Sequence, residues 1–164
     1  MSEPYHRAED SFSGVGAARA GGRWNSSGTR VVYASGSLAL ASLERLIHTF
    51  SVRGLQGLWV HTFHFEEVDA LRLPDEQLPE DWLRKPVPPD WHTPPPKLTQ
   101  QIGNDWAARQ ASLLLRVPSA VLPQEHNYLI NPLHPSFSLD RLTPPRQFRF
   151  DERIASLLGA ESGL

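Results

Sequence analysis

Hydrophobic residues between positions 31 and 47 follow first a strand pattern and then a helical one. Residues 31–33 read Val-Val-Tyr, a run of β-branched and aromatic side chains that is typical of a strand. Residues 35–37 read Ser-Gly-Ser, which ends the strand and supplies an N-cap for a helix. Apolar residues then recur at helical spacing and form one stripe, at Leu40, Leu43, Leu46 and Ile47. The segment is therefore predicted to fold as a strand, a turn and a helix.

Two charged side chains, Arg23 and Glu44, flank these elements in positions that suit a ligand. Glu44 falls at the margin of the apolar stripe, so its carboxylate is partly removed from water unless it turns outward, as many helix glutamates do. Arg23 follows a Gly-Gly pair and precedes a turn at residues 25–28, which places it at the edge of a loop. Its guanidinium could bind an anion there, and the alternative is an ordinary loop arginine.

The rest of the chain supplies further strands and one more helix. Residues 58–65 carry aromatic and β-branched side chains on both alternating faces, which predicts a central strand covered on both sides. Residues 99–110 have apolar positions at helical spacing, and residues 113–117 form a short apolar strand that Pro118 ends. Residues 125–135 are interpreted as turn-rich, because they contain two X-Pro bonds.

Prolines concentrate in the stretch of about residues 71–98, where eight of the 15 fall between positions 74 and 96. Long regular elements are excluded there. Trp82 and Trp91 favour packing over solvation, so we expect a packed irregular excursion rather than a linker. It could serve as a lid over the ligand site, as a surface for a partner, or as an insertion without a role.

Composition narrows the class of protein. The 164 residues, of which 40% are hydrophobic, fit a single domain covering residues 1–164. A net charge of -2 and a pI near 6.4 argue against a broad nucleic-acid or membrane surface, because phosphate binding needs clustered Lys and Arg. The absence of cysteine excludes disulfides and thiolate metal sites. His61 and His64 would face opposite sides of a strand and could not share a metal ion, so we expect no metal site. The sequence shows neither a leader pattern nor an apolar segment long enough to span a membrane, which predicts a cytoplasmic protein.

Two separated blocks and the chain end resemble one known family. GGRWNSSGTRVVYASGSLALASLERLIH at residues 21–48 resembles the N-terminal signature of the RES-domain family, whose members are toxins of bacterial toxin-antitoxin pairs. LLLRVPSAVLPQEHNYLINPLHPSF at residues 113–137 is similar to the family's second block, and FRFDERI at residues 148–154 is similar to its end. The resemblance implies an α+β fold, with one compact domain, a central mixed or antiparallel sheet flanked by helices, and an ADP-ribosyltransferase-like arrangement.

The resemblance also implies that NAD is the substrate and that Arg23, Tyr33 and Glu44 are catalytic. The family's serine falls on Ser119 or, as the less favoured choice, on Ser112. Contacts with NAD are expected from seven residues in all: Arg23, Trp24, Asn25, Tyr33, Ser112, Ser119 and Asn127. Asn131, before a proline, is instead interpreted as a turn residue.

Cleavage of the nicotinamide N-glycosidic bond passes through an oxocarbenium-like state, which needs positive charge at the pyrophosphate and negative charge near the ribose. Arg23 suits the first need and Glu44 the second. Water, phosphate or a protein side chain could accept the ADP-ribose, so NAD depletion and mono-ADP-ribosylation of a target protein both stay open. The resemblance implies a cognate antitoxin with a helix-turn-helix-like region as partner. A non-catalytic binding module is the alternative from another class.

Overall fold

Short helices and strands alternate along the part of the chain that the computed structural model describes, namely residues 7–49, 52–80, 82–83, 97–154 and 156. The α-helices are α1 (Ala8–Ser11), α2 (Val15–Ala20), α3 (Leu38–Ile47) and α4 (Leu98–Arg109). The strands are β1 (Val32–Ser35), β2 (Leu58–Val60), β3 (Ala70–Arg72), β4 (Leu114–Pro118), β5 (His126–Ile130) and β6 (Arg146–Phe148). None of the helices within these residues has the length and apolar character that crossing a membrane requires.

Four strands form the main sheet, in the order β1-β5-β4-β3. The β1-β5 and β5-β4 pairs are antiparallel, whereas β3 and β4 run parallel. Strands β2 and β6 form a separate antiparallel pair. The predicted α+β class with a mixed sheet and flanking helices is therefore confirmed.

The main sheet is packed on both faces. Leu115 and Leu129 are neighbours on one face, are 1% and 0% exposed, and pack against Trp106 of α4. Leu114 and Ile130 are neighbours on the opposite face, where a cluster of phenylalanines covers them. Tyr33 and Leu129 are cross-strand partners, so the tyrosine side chain belongs to the same face as α4.

Two sequence predictions about strands are wrong. Strand β2 is not central, because it pairs only with β6 among the described strands and leaves Trp59 39% exposed. Phe63 and Phe65, two aromatic residues of the predicted strand, lie beyond β2 and pack against the main sheet instead. Residues 126–130 of the stretch predicted to be turn-rich are in fact β5, an inner strand of that sheet, because the proline at position 132 follows the strand and interrupts no ladder hydrogen bond.

The other predicted elements lie close to their expected positions. Helices α3 and α4 occupy the two helical segments, and β4 ends at Pro118. Asn131 takes the predicted turn role, since its side-chain oxygen accepts a hydrogen bond from the backbone N–H of Leu133. Half of the proline-rich excursion, residues 81 and 84–96, lies outside the described residues, so its role stays a prediction.

Helix α4 approaches the Arg23 loop so closely that only a glycine fits at the crossing. A Cβ atom on Gly103 would lie 1.8 Å from the backbone oxygen of Trp24. The indole of Trp24 is 3% exposed and belongs to the same buried cluster as Trp106. The contact therefore sets the distance between α4 and the loop that carries Arg23.

We expect Gly103→Ala to lower the free energy of unfolding by at least about 2 kcal/mol, because backbone atoms must move to admit the methyl group. Urea denaturation measures the change. Gly16→Ala is the matched control, since that helical glycine has no atom near its Cβ position and the change should be neutral or stabilising by up to about 1 kcal/mol. Wild-type stability in Gly103→Ala would contradict the close approach.

Candidate active site

The carboxylate of Glu44 is the meeting point of three elements. Helix α3 begins at the predicted cap, where the Ser37 hydroxyl accepts a hydrogen bond from the Leu40 N–H at 3.1 Å. Glu44 lies two turns further on and is 22% exposed. Its Oε1 atom accepts hydrogen bonds from the Ser119 hydroxyl at 2.8 Å and from the Asn127 amide at 2.6 Å. The sequence predicts that Glu44 lies at the margin of the apolar stripe of α3. The Glu44 carboxylate lies against the ends of β4 and β5.

The second carboxylate oxygen of Glu44 has a different environment. Its Oε2 atom lies 3.9 Å from Nε2 of His48, the C-cap residue directly after α3. The His48 side chain is 71% exposed, so this oxygen faces the more open side of the site. The two oxygens thus differ: Oε1 is held by two donors from the sheet, and Oε2 points toward the outside.

Ser119 is fully buried directly after β4, and its hydroxyl has a fixed direction. The oxygen accepts hydrogen bonds from the backbone N–H groups of Val121 and Leu122, both at 3.1 Å. With both acceptor positions taken, the single hydroxyl proton points at Glu44. The structure therefore makes Ser119 a donor to the carboxylate.

Ser112 occupies the other end of β4. Its hydroxyl accepts from the Trp106 indole N–H at 2.9 Å and donates to the Leu114 carbonyl at 2.6 Å. These bonds anchor α4 to the strand and do not reach Glu44. Of the two candidate serines, the structure brings Ser119 to Glu44 and leaves Ser112 in a supporting position between α4 and β4.

Arg23 and Glu44 share one electrostatic environment. The Arg23 guanidinium is partly buried and donates a hydrogen bond to the backbone carbonyl of Trp82. Burial lowers the pKa of Arg23, and the negative charge of Glu44 opposes that shift. Arginine remains protonated at any physiological pH, so a partly desolvated cation interacts electrostatically with the Glu44 carboxylate.

Tyr33 holds the Arg23 loop through its hydroxyl. The hydroxyl donates to Oδ1 of Asn25 at 2.8 Å and accepts from the Trp24 N–H at 3.0 Å. The residue as a whole is 42% exposed, so one side of the ring faces outward while the hydroxyl end is enclosed. This enclosure raises the pKa of Tyr33 well above its ordinary value, which keeps the phenol neutral. A side chain on Gly22 would collide with this hydroxyl.

Trp24 and Asn25, predicted to contact NAD, support the loop from its buried side. Asn25 is 0% exposed, and its amide donates to the carbonyls of Ala17 at 2.9 Å and Thr29 at 3.1 Å. Trp24 packs in the core beside α4. The geometry gives both residues a role in shaping the loop, and their contact with a ligand stays a prediction.

Sequence reasoning missed Gln100 of α4. Its amide nitrogen donates to the backbone carbonyls of Gly22 at 2.9 Å and Asn25 at 3.3 Å, on either side of Arg23. Gln100 is 2% exposed and lies three residues before Gly103, on the buried face of the helix. A glutamine on that face is the signal that could have revealed the contact, because a buried amide requires hydrogen-bond partners.

A family model described as "RES domain" matches residues 2–151 of the chain. The chain belongs to the RES-domain family. It is 36% identical over 148 residues to "Prs ADP-ribosylating toxin" of Sphingobium sp. strain YBL2. The aligned residues cover 88% of this chain and 87% of that protein. It is 35% identical over 145 residues to "Toxin Res" of Yersinia enterocolitica, covering 87% of this chain and 90% of that protein. "Toxin Res" of Photorhabdus laumondii is 35% identical over 147 residues, with 89% of each chain covered.

In this RES domain, the charge of the Arg23 guanidinium interacts with the oriented carboxylate of Glu44 and with Tyr33, which is 42% exposed. Arg23 is suited to an anionic group such as a phosphate. The outward oxygen of Glu44 is suited to a hydroxyl group or to a developing positive charge. The arrangement can therefore accommodate a ligand with an anionic part and a part that becomes cationic.

We expect Tyr33→Phe to lower the free energy of unfolding by roughly 1 to 3 kcal/mol, because Asn25 Oδ1 and the Trp24 N–H lose their partner. Thermal or urea unfolding measures the loss. Tyr128→Phe is the matched control, since the Tyr128 ring packs against Phe65 and its hydroxyl has no hydrogen bond to any described residue. Its stability should stay within about 0.5 kcal/mol of wild type, and equal losses in both variants would rule out the loop-holding role.

Proposed function

We propose that this RES domain binds NAD and cleaves its nicotinamide N-glycosidic bond. The observation that carries the proposal is the Glu44 carboxylate, fixed through Oε1 by Ser119 and Asn127, in the same electrostatic environment as Arg23. NAD combines an anionic pyrophosphate with a ribose carbon that becomes cationic as the bond breaks. A guanidinium and an oriented carboxylate match these two demands.

Each residue then has a defined part in the reaction. Arg23 binds the pyrophosphate through its planar fork of N–H donors. The outward Oε2 of Glu44 binds a ribose hydroxyl or stabilises the positive charge that develops at C1′. The C1′–N1 bond breaks with its electron pair going to the nicotinamide ring nitrogen, which loses its positive charge. An oxygen or nitrogen of the acceptor forms the new bond to C1′ and releases a proton.

The acceptor separates two versions of the activity. Transfer of ADP-ribose to water or phosphate would deplete NAD. Transfer to a protein side chain would make the domain a mono-ADP-ribosyltransferase, and the printed name of the Sphingobium relative, an ADP-ribosylating toxin, supports this second candidate. Arg23 and Glu44 act on the donor in either case, so the site residues are the same.

We also infer that the domain is the toxin of a toxin-antitoxin pair in the cytoplasm. The names of the Yersinia and Photorhabdus relatives support the toxin assignment. Helix α3, which carries Glu44, exposes 45% of Leu38 and 59% of Ile47, and this apolar surface suits contact with another protein. A cognate antitoxin with a helix-turn-helix-like region would bind there and cover the NAD site.

The decisive experiment is incubation of antitoxin-free protein with NAD, followed by mass spectrometry of the products. Free ADP-ribose identifies hydrolysis, and ADP-ribose-1″-phosphate in phosphate buffer identifies phosphorolysis. A mass increase on a protein, only when lysate is present, identifies transfer. If no nicotinamide is released under any of these conditions, the domain is a non-catalytic binding module and the proposal is wrong.

Glu44→Gln should slow nicotinamide release by about tenfold or more while NAD affinity changes little, since the oriented charge is lost but the shape is kept. Glutamine can still accept both hydrogen bonds through its carbonyl oxygen, so the fold should be retained. Release assays and calorimetry measure the two quantities. Glu76→Gln, at an exposed position, is the control and should behave as wild type. Loss of affinity equal to the loss of rate would point to a folding role for Glu44.

Arg23→Lys should weaken NAD binding by about tenfold or more, because an ammonium cannot make the paired contacts of a guanidinium with phosphate. Calorimetric titration with NAD measures the change, and ADP-ribose, which keeps the pyrophosphate, should show the same loss. Arg19→Lys, on the exposed side of α2, serves as the control. Unchanged affinity in Arg23→Lys would remove the pyrophosphate assignment.

A further inference from the structure

Ser35 ends strand β1 opposite Asn127 of β5, and the two side chains are joined. The residues are direct partners in the antiparallel register. The Ser35 hydroxyl donates a hydrogen bond to Oδ1 of Asn127 at 2.8 Å. Because directly opposite residues project to the same face of a sheet, the contact follows from the register of the two strands.

This contact governs how the Asn127 amide presents its donor. An asparagine side chain has an accepting end and a donating end, and its amide plane turns on a soft torsion. Here the accepting end is occupied by Ser35, while Nδ2 donates to Oε1 of Glu44 at 2.6 Å. A flipped amide would direct its oxygen at the carboxylate, which is repulsive. The hydroxyl of Ser35 thus anchors one end of the amide and keeps the other aimed at Glu44.

The two donors to Glu44 differ in how they are supported. Ser119 is fixed by two backbone N–H groups of its own turn. Asn127 instead has its oxygen end held by a side chain from the neighbouring strand. The direction of the Asn127 donor therefore depends on Ser35, and through it on the junction of β1 and β5.

We propose that Ser35 is a positioning residue for the cleavage reaction, acting through Asn127 to hold the Glu44 carboxylate with Oε2 toward the ligand. The inference rests on the proposed function of the site, and it adds a residue for which no ligand contact is needed. Without the hydroxyl, the amide of Asn127 samples other rotations, and the carboxylate loses one of its two fixed donors. NAD would still bind, but a smaller fraction of bound complexes would have the carboxylate correctly oriented.

The kinetic test compares Ser35→Ala with the conservative Ser35→Thr. Ser35→Ala should reduce kcat for nicotinamide release by about threefold to thirtyfold, with NAD affinity within about twofold of wild type, because orientation and not binding is lost. Ser35→Thr keeps the hydroxyl on a strand that tolerates β-branching, so it should restore kcat to within about twofold. Ser42→Ala, which removes a hydroxyl that donates to the α3 backbone at Leu38, is the control and should leave kcat unchanged.

A double-mutant comparison separates positioning from a general structural effect. In an Asn127→Ala background the hydroxyl has no amide to hold, so adding Ser35→Ala should change kcat by less than about twofold. An equal loss of kcat in both backgrounds, or failure of Ser35→Thr to restore it, would overturn the inference.

A measurement without NAD keeps this inference distinguishable from the proposed function. The side-chain amide signals of Asn127 in a ¹H–¹⁵N NMR spectrum are identified by their loss in Asn127→Ala. They should shift or broaden in Ser35→Ala and keep their positions in Ser42→Ala. Unchanged Asn127 signals in Ser35→Ala would overturn the positioning role. Absence of nicotinamide release by the wild type, with these signals still responding, would reject the proposed function alone.

Discussion

The hydrogen bonds that Ser119 and Asn127 donate to one oxygen of Glu44 are the constraint on which the site depends. A carboxylate at the edge of a protein interior is costly unless donors replace the water that it loses. Here the donors come from the ends of the neighbouring strands β4 and β5. The carboxylate that accepts their hydrogen bonds belongs to helix α3, which follows strand β1. The carboxylate is therefore oriented by the tertiary fold and not by helix α3 alone.

Strand β1 connects this carboxylate to the loop that carries the guanidinium. Tyr33 and Ser35 are two residues apart and so lie on the same face of the sheet. Tyr33 binds the Arg23 loop through Asn25 and the Trp24 N–H, while Ser35 binds Asn127 beside Glu44. A slip of one residue in the β1-β5 register would turn these side chains to the opposite face and break both connections at once. The spacing between the cation and the carboxylate is thus built into the pairing of two strands.

Local patterns were enough to predict the elements that carry the charges. Helix α3, its Ser37 cap and the marginal position of Glu44 follow from spacing within a few residues, as does the end of β4 before Ser119. The relation between Asn127 and Glu44 could not be predicted in this way, because their contact joins residues 83 positions apart in the chain. Prolines near β5 also suggested a turn, although they lie outside the strand. The contact between Asn127 and Glu44 and the strand structure of β5 both depend on pairing between segments that are far apart in the chain. Patterns within a few residues do not reveal such pairing.

The two oxygens of Glu44 explain how one set of residues could serve different acceptors. Oε1 is committed to the protein, whereas Oε2 lies on the side of the exposed His48 and can meet the ribose. In the proposed reaction, Arg23 and the oriented carboxylate both act on the donor half, where the bond to nicotinamide would break. That proposed arrangement requires no particular attacking group, so the acceptor would be determined by what reaches C1′ from the open side. Access to the outer surface of α3, and not the chemistry held by the sheet, would therefore separate NAD depletion from transfer to a protein.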